Sequence, residues 1–308
     1  MKFDLVGHEK QRAALKELYL KGKLPHSILF CGPQGIGKKL VAQELASMLL
    51  CEERGKDTTF GGCGRCSACR LFLKGNLPDY HQYDCKEKFS TANVREALEM
   101  THLRAYGGKN RVVLFDNIDH ISIQSANILL KTLEEPGDDL YFFLIAENPA
   151  MLPDTVVSRC HKWHFNFLTK EEISRIHISN CAEKDITEIL SLSGGSPGQI
   201  INILEKGIDW NSAHISFNSI LEGNLEEAIA LSEEIAKDRG NLRQYIAILA
   251  MATRNYLRKC HTNREKELCA AFLTKLFHAE KMTEERNINI NYLFAELLSE
   301  LAYEKFIS

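Results

Sequence analysis

Three observations predict an α/β domain built on a parallel sheet, a small helical domain after it, and an all-α domain at the C-terminal end. Over residues 1–166, short apolar runs alternate with amphipathic helical stretches, the order that produces βα units and a parallel sheet. A glycine-rich loop, Cys31-Gly32-Pro33-Gln34-Gly35-Ile36-Gly37-Lys38-Lys39, stands between one such apolar run and the next helix. After Trp210 the periodicity is helical to the end. The boundaries that follow are 1–166 with an insert at 51–69, then 167–207, then 208–308.

The 308 residues are enough for two or three domains, and 44% hydrophobic with 26% charged residues describes a globular chain. A net charge of -3 and a pI near 6.4 give no electrostatic footprint for wrapping DNA unaided. The first residues, Met1-Lys2-Phe3-Asp4-Leu5-Val6, lack the apolar core of a secretory signal. No apolar run approaches the ~18 residues of a membrane span. The expectation is a soluble cytoplasmic protein, in which clustered cysteines point to metal rather than to disulfides.

Residues 8–21 predict an amphipathic helix with Ala14, Leu15, Leu18 and Tyr19 on its apolar side. Ser27-Ile28-Leu29-Phe30 reads as a buried strand, and Leu40–Leu50 as a helix with Leu40, Val41, Leu45, Met48 and Leu49 on one face. Strand, glycine loop and helix form the setting of a phosphate-binding loop. Gly32, Gly35 and Gly37, with Pro33 among them, let the backbone turn and aim its N–H groups inward. The helix N-terminus adds partial positive charge, and Lys38 is placed to reach outer phosphates. The position after that lysine ordinarily carries Ser or Thr, whose hydroxyl ligates magnesium. Here it is Lys39.

Cys63, Cys66 and Cys69 stand at C-x-x-C-x-x-C spacing, with Cys51 upstream. Four thiolates satisfy the tetrahedron of zinc, and with no position left open the site is expected to be structural. Gly61, Gly62 and Gly64 are expected to supply its sharp turns. The other six cysteines (Cys31, Cys85, Cys160, Cys181, Cys260 and Cys269) are scattered and read as small buried side chains.

Pro78–Tyr83 predicts a strand, on which His81 is a surface residue. Thr91–Thr101 predicts a helix and Gly107–Asn110 a turn. Arg111–Asn117 is an apolar strand ending in Asp116, the place from which a phosphate-loop ATPase positions magnesium. The next position, where an active ATPase needs a carboxylate base, holds Asn117, and an amide is no useful proton acceptor. A helix over Ile123–Leu133, a strand over Tyr141–Ala146 and a last strand over Lys162–Phe165 complete the sheet. Thr169 and Glu172 form a capping box, and about three short helices fill 169–206. Helices are expected near 216–236, 241–260, 265–280 and 290–305.

Two further motifs carry a resemblance. Asn127-x-x-Leu130-Lys131-Thr132-Leu133-Glu134-Glu135-Pro136 and Leu152-Pro153-x-Thr155-x-x-Ser158-Arg159-Cys160, in this order after the loop, the four cysteines and the strand aspartate, resemble the bacterial clamp-loader AAA+ subunits of DNA polymerase III. That family includes gamma/tau and delta prime. The resemblance covers about two-thirds of the chain; the helical third matches only in length and class. It implies an AAA+ domain (1–166), a helical lid (167–207) and a helical collar (208–308) in a hetero-oligomer. The implied partners are gamma/tau and delta subunits, the sliding clamp, and primer-template DNA reached through the complex. The resemblance also implies that Arg159 acts in trans, as a finger on ATP held by a neighbouring gamma/tau subunit.

Four departures point to the delta prime branch and to little or no ATP hydrolysis by the chain itself: Lys39, Asn117, Gly198 where a sensing arginine would follow Gly195-Ser196-Pro197, and Ile145-Ala146-Glu147 without the usual threonines. The degenerate nucleotide site would comprise Gly32, Pro33, Gly35, Gly37, Lys38, Lys39 and Asp116. The metal site would comprise Cys51, Cys63, Cys66 and Cys69, with zinc as structural cofactor and ATP with magnesium as doubtful ones. An active gamma/tau-like ATPase, or another AAA+ repair or adaptor protein, remains open on the sequence.

Overall fold

A computed structural model describes residues 5–53, 60–86, 89–101, 110–137, 139–176, 195–198, 201, 210–260, 262–285 and 289–306. The chain divides into two compact units, Met1–His177 and Ile178–Ser308.

The first unit runs α1 (Glu9–Leu20), β1 (Ser27–Cys31), α2 (Lys38–Leu50), α3 (Ser67–Leu73), β2 (Tyr80–Asp84), α4 (Thr91–Thr101), β3 (Arg111–Asp116), α5 (Ile123–Glu134), β4 (Leu140–Ala146), α6 (Asp154–Val157), β5 (His161–His164) and α7 (Lys170–Ile173). The five strands form one sheet in the order β2-β3-β4-β1-β5, with every pairing parallel. This is an α/β fold on a parallel sheet, and the described C-terminal residues are helical.

The apolar runs are continuous because both faces of the sheet are covered. Alternation along β1 sends Ile28 and Phe30 to a core shared with Val41 and Leu45 of α2. Leu29 and Cys31 go to a second core with Ala126 and Leu129 of α5. Phe30, Phe115, Phe142 and Phe143 are fully buried, each contributing about 2–3 kcal/mol by removal from water. Leu15 of α1 is buried, and Leu18 and Tyr19 pack partly against the first core.

Parallel register aligns the carboxyl ends of the strands. Cys31 lies level with Ala146, and Asp84 with Asp116. The glycine loop and Asp116 therefore meet at one rim, where α2 begins. After β5, the capping box forms as expected: Thr169 Oγ1 accepts from Glu172 N at 3.2 Å, and Glu172 Oε2 accepts from Thr169 N at 2.7 Å. Beyond α7, most of the segment predicted to hold short helices, and the turn at Gly107–Lys109, lie outside the described residues.

The second unit contains α8 (Trp210–Leu221), α9 (Leu225–Lys237), α10 (Leu242–Lys259), α11 (Asn263–Glu285) and α12 (Ile290–Phe306). The single helix expected over 216–236 is two helices. Gly223 turns at φ 95°, and Asn224 Oδ1 accepts from Glu226 N and Glu227 N, capping α9. Phe217 and Phe272 meet as tilted rings with centres 5.6 Å apart, and Ser232 Oγ donates to Asn291 Oδ1 at 3.1 Å. No described helix is long and apolar enough to cross a membrane.

Candidate phosphate-loop and four-cysteine sites

The glycine loop leaves the sheet where no side chain fits. A Cβ on Gly32 would stand 2.2 Å from the Phe165 carbonyl oxygen, because β5 runs beside β1. Gly35 and Gly37 hold φ of 75° and 100°, values that carry little penalty for glycine alone. A buried histidine braces the far side: His8 Nε2 lies 2.7 Å from the Ile36 carbonyl oxygen, and its ring meets Phe165 edge-on.

Lys38 is 6% exposed, and its Nζ donates to the carbonyls of Gly32 at 2.6 Å and Pro33 at 2.7 Å. Burial lowers its pKa, against the opposing pull of Glu147, Asp116 and Asp119. Lys39 Nζ stands 3.0 Å from Asp116 Oδ2, and Asp116 Oδ1 accepts from the Asn117 amide N–H at 3.1 Å. Both oxygens of the strand-end carboxylate are thus engaged within the protein.

Asn117 adopts the left-handed conformation, φ 54° and ψ 41°, and its Nδ2 donates to Asp84 Oδ1 at 2.9 Å. Burial raises the Asp84 pKa, but the Lys86 N–H, the Asn117 amide and the charge of Lys39 outweigh it, so the carboxyl titrates below its ordinary value. Asp119 accepts from Glu147 N at 3.1 Å and Asn148 N at 3.0 Å, pinning the turn after β4. Asp84 and His8 are not legible as parts of this rim. Nothing in their local sequence shows which strand end they meet.

Arg159 is not free at the surface. Its Nε donates to Glu134 Oε1 at 2.6 Å, Nη2 reaches the same oxygen, and Nη1 donates to the Thr155 carbonyl at 2.8 Å. The two family-like motifs therefore touch each other through Glu134 and Arg159. Cys160 beside it is buried, and burial pushes its thiol up to about 12, so it packs as a neutral side chain.

The four cysteines of the insert come together. Their sulfurs all lie within 4.8 Å of one another, with Cys51–Cys66 at 4.0 Å and Cys63–Cys69 at 3.9 Å. A tetrahedral zinc with 2.3 Å bonds separates its sulfurs by about 3.8 Å. Backbone N–H groups of Cys63, Cys66 and Cys69 donate to the sulfurs of Cys51, Cys63 and Cys66 at 3.4–3.5 Å. At Cys63 burial is outweighed by such donors, which favour the thiolate, whereas burial raises the thiols of Cys51 and Cys69. Gly61 and Gly64 turn at positive φ as expected. Gly62 has a different role: a Cβ there would meet Cys69 Sγ at 2.6 Å and the Ser47 carbonyl oxygen at 2.8 Å. Cys31, Cys85, Cys160 and Cys269 are buried and Cys260 partly so, while Cys181 lies outside the described residues.

The family model for DNA polymerase III, delta subunit, matches residues 7–169. The chain belongs to the DNA polymerase III clamp-loader family of AAA+ proteins. This clamp-loader-family chain is 30% identical over 255 residues to DNA polymerase III subunit tau of Escherichia coli, an alignment covering 80% of this chain and 39% of tau. It is 34% identical over 194 residues to subunit delta' of Pseudomonas aeruginosa, covering 61% of this chain and 58% of that one. It thus spans well under half of the tau relative's length. A gamma-subunit-related protein of Thermotoga maritima is 13% identical in structure alignment, covering 96% of this chain and 99% of that one at a TM-score of 0.48.

The fold implies a nucleotide and magnesium at the rim. Phosphate oxygens suit Lys38 and the glycine turns. A magnesium ion does not suit the residues present, because Lys39 brings no hydroxyl and its ammonium lies on Asp116.

Proposed function

We propose that this chain is a delta prime-type subunit of a bacterial DNA polymerase III clamp loader, helping to place the sliding clamp on primed DNA during replication. Its partners on this reading are gamma/tau and delta subunits, the clamp, and primer-template DNA through the assembled complex, all in the cytoplasm. Residues 167–207 serve as the lid and 208–308 as the collar that joins the other subunits. Cys51, Cys63, Cys66 and Cys69 hold a structural zinc.

The observation that carries the reading is the contrast between two rims of one domain. At the phosphate loop, Lys39 occupies Asp116 and Asn117 is spent on Asp84. A base and a metal ligand act as a unit in phosphoryl transfer, so losing both removes hydrolysis. At the other rim, Ser158-Arg159-Cys160 is intact and the Arg159 side chain is 32% exposed, accessible to a neighbour. The role left for such a chain is to donate Arg159 to ATP held by gamma/tau.

The tau similarity favours a second reading, an active gamma/tau-like ATPase, since it covers more of this chain than the delta' similarity does. ATP turnover separates the two. The purified chain alone should be silent. Mixed with gamma/tau, delta, clamp and primed DNA it should support turnover that falls on the order of a thousandfold at the affected site with Arg159→Ala. Robust turnover by the chain alone would overturn the proposal in favour of the second reading.

A further inference from the structure

In a metal-dependent phosphate loop, the strand-end aspartate and the residue after the loop lysine face one divalent ion. Here the same two positions face each other directly. Lys39, the second residue of α2, places its ammonium 3.0 Å from Asp116 Oδ2, and the Asp116 side chain is only 13% exposed. Asp116 Oδ1 is taken by the Asn117 N–H. The charge of Lys39 also acts on Asp84, the carboxylate that ends the neighbouring strand. One tethered positive charge therefore serves the two carboxylates that end β2 and β3.

We infer that Lys39 is a built-in counter-cation standing in the place of the divalent metal, so that phosphate held by this loop is held without metal. A metal ion entering the rim would have to displace the ammonium from Asp116 and then sit beside it, like charge against like charge, with no hydroxyl to complete its shell. Lys38 and the glycine turns are untouched by this exchange and keep their affinity for phosphate oxygens. The inference rests on reading Gly32–Lys39 as a phosphate loop and is independent of the clamp-loader assignment. It concerns the isolated chain, whereas that assignment is judged in the mixed assembly.

The test uses the full chain and a fluorescent ATP analogue, titrated in excess magnesium and in EDTA, with Mn2+ binding followed separately by electron paramagnetic resonance. The wild-type chain should bind the analogue measurably and with the same affinity in both buffers, and should take up no Mn2+ at this rim; no binding in either buffer would overturn the inference. Lys39→Ser restores a hydroxyl and releases Asp116. It should bind the analogue about tenfold or more tightly with magnesium than without, and should acquire a Mn2+ signal that Asp116→Asn removes on the same background. Lys39→Met removes the charge without supplying a hydroxyl, so it should gain a Mn2+ signal weaker than that of Lys39→Ser but absent from the wild type, and its melting curve controls for folding. Magnesium-dependent binding by the wild type, or a folded Lys39→Ser chain indifferent to metal, would overturn the inference.

Discussion

Glu134 holds Arg159 from within the same chain: Nε and Nη2 of the guanidinium both donate to Oε1 of the one carboxylate. With side chains 47% and 32% exposed, the pair contributes at most about 1 kcal/mol to stability. Its consequence is positional, since an arginine parked on Glu134 must leave it to reach a phosphate elsewhere. Glu134→Ala should shift the melting temperature by less than about 3 °C and leave ATP turnover in the mixed assembly no lower than wild type. A collapse as deep as that of Arg159→Ala would show that Glu134 presents the arginine rather than restrains it.

The four-cysteine module is continuous with the domain core, as Cys51, Cys66 and Cys69 pack in the same cluster as Leu45, Leu49 and Phe72. Loss of the proposed zinc should therefore unsettle the sheet and not merely the insert. Cys66→Ser should release zinc, measured with a chromogenic chelator, and lower unfolding free energy by roughly 3 kcal/mol or more. Unfolding curves that superimpose on wild type would mean that the module is decorative.

Gly32 faces backbone, not a movable side chain. The Phe165 carbonyl oxygen 2.2 Å from its would-be Cβ belongs to the residue that follows β5, and Phe165 N donates to the Cys31 carbonyl at 2.8 Å. Gly32→Ala should cost more than about 2 kcal/mol by forcing β1 and β5 apart. Gly22→Ala, also at positive φ but with nothing within 4 Å, should cost only about 1–2 kcal/mol. Urea midpoints for the two variants should differ in that order.

Restoring a carboxylate at position 117 should harm the chain before it helps catalysis. Asn tolerates the left-handed backbone found there, whereas Glu pays about 1 kcal/mol for it. The amide that donates to Asp84 would become a second negative charge. Asp84 now titrates below its unfolded value, so it contributes stability above the unfolded pKa, lost as pH falls through the lower folded one. In Asn117→Glu, Asp84 should titrate higher. The stability deficit should be largest near neutral pH and shrink as acid protonates the new pair. Thermal melts from pH 7 down to pH 4 would show the deficit narrowing; a constant deficit would point to backbone strain alone.

The helix-breaking pair Gly223-Asn224 was readable in retrospect. Gly followed by a good N-cap residue is a stop and a start, and the apolar spacing across it concealed the break. Helix existence elsewhere in the second unit followed from periodicity, and only the ends moved. Asn263–Glu285 runs longer than the 265–280 expected, mostly at its C-terminal end, where Lys281, Thr283, Glu284 and Glu285 carry no apolar signal.

By itself, the sequence determined the five strands and most of the longer helices, where the glycine loop lies, and that four cysteines share one spacing, but not the helix Ser67–Leu73 or the break at Gly223-Asn224. The features it determined are local properties: period, turn chemistry and ligand interval act within a few residues. Tertiary structure decided what each charged group is for. Lys39 and Asp116 are 77 positions apart in number yet 3.0 Å apart in space. Asn117 meets Asp84, and Arg159 meets Glu134, only because parallel strands and the elements after them end at shared rims. Pairing of charges depends on distances across the sheet, which no interval along the chain encodes.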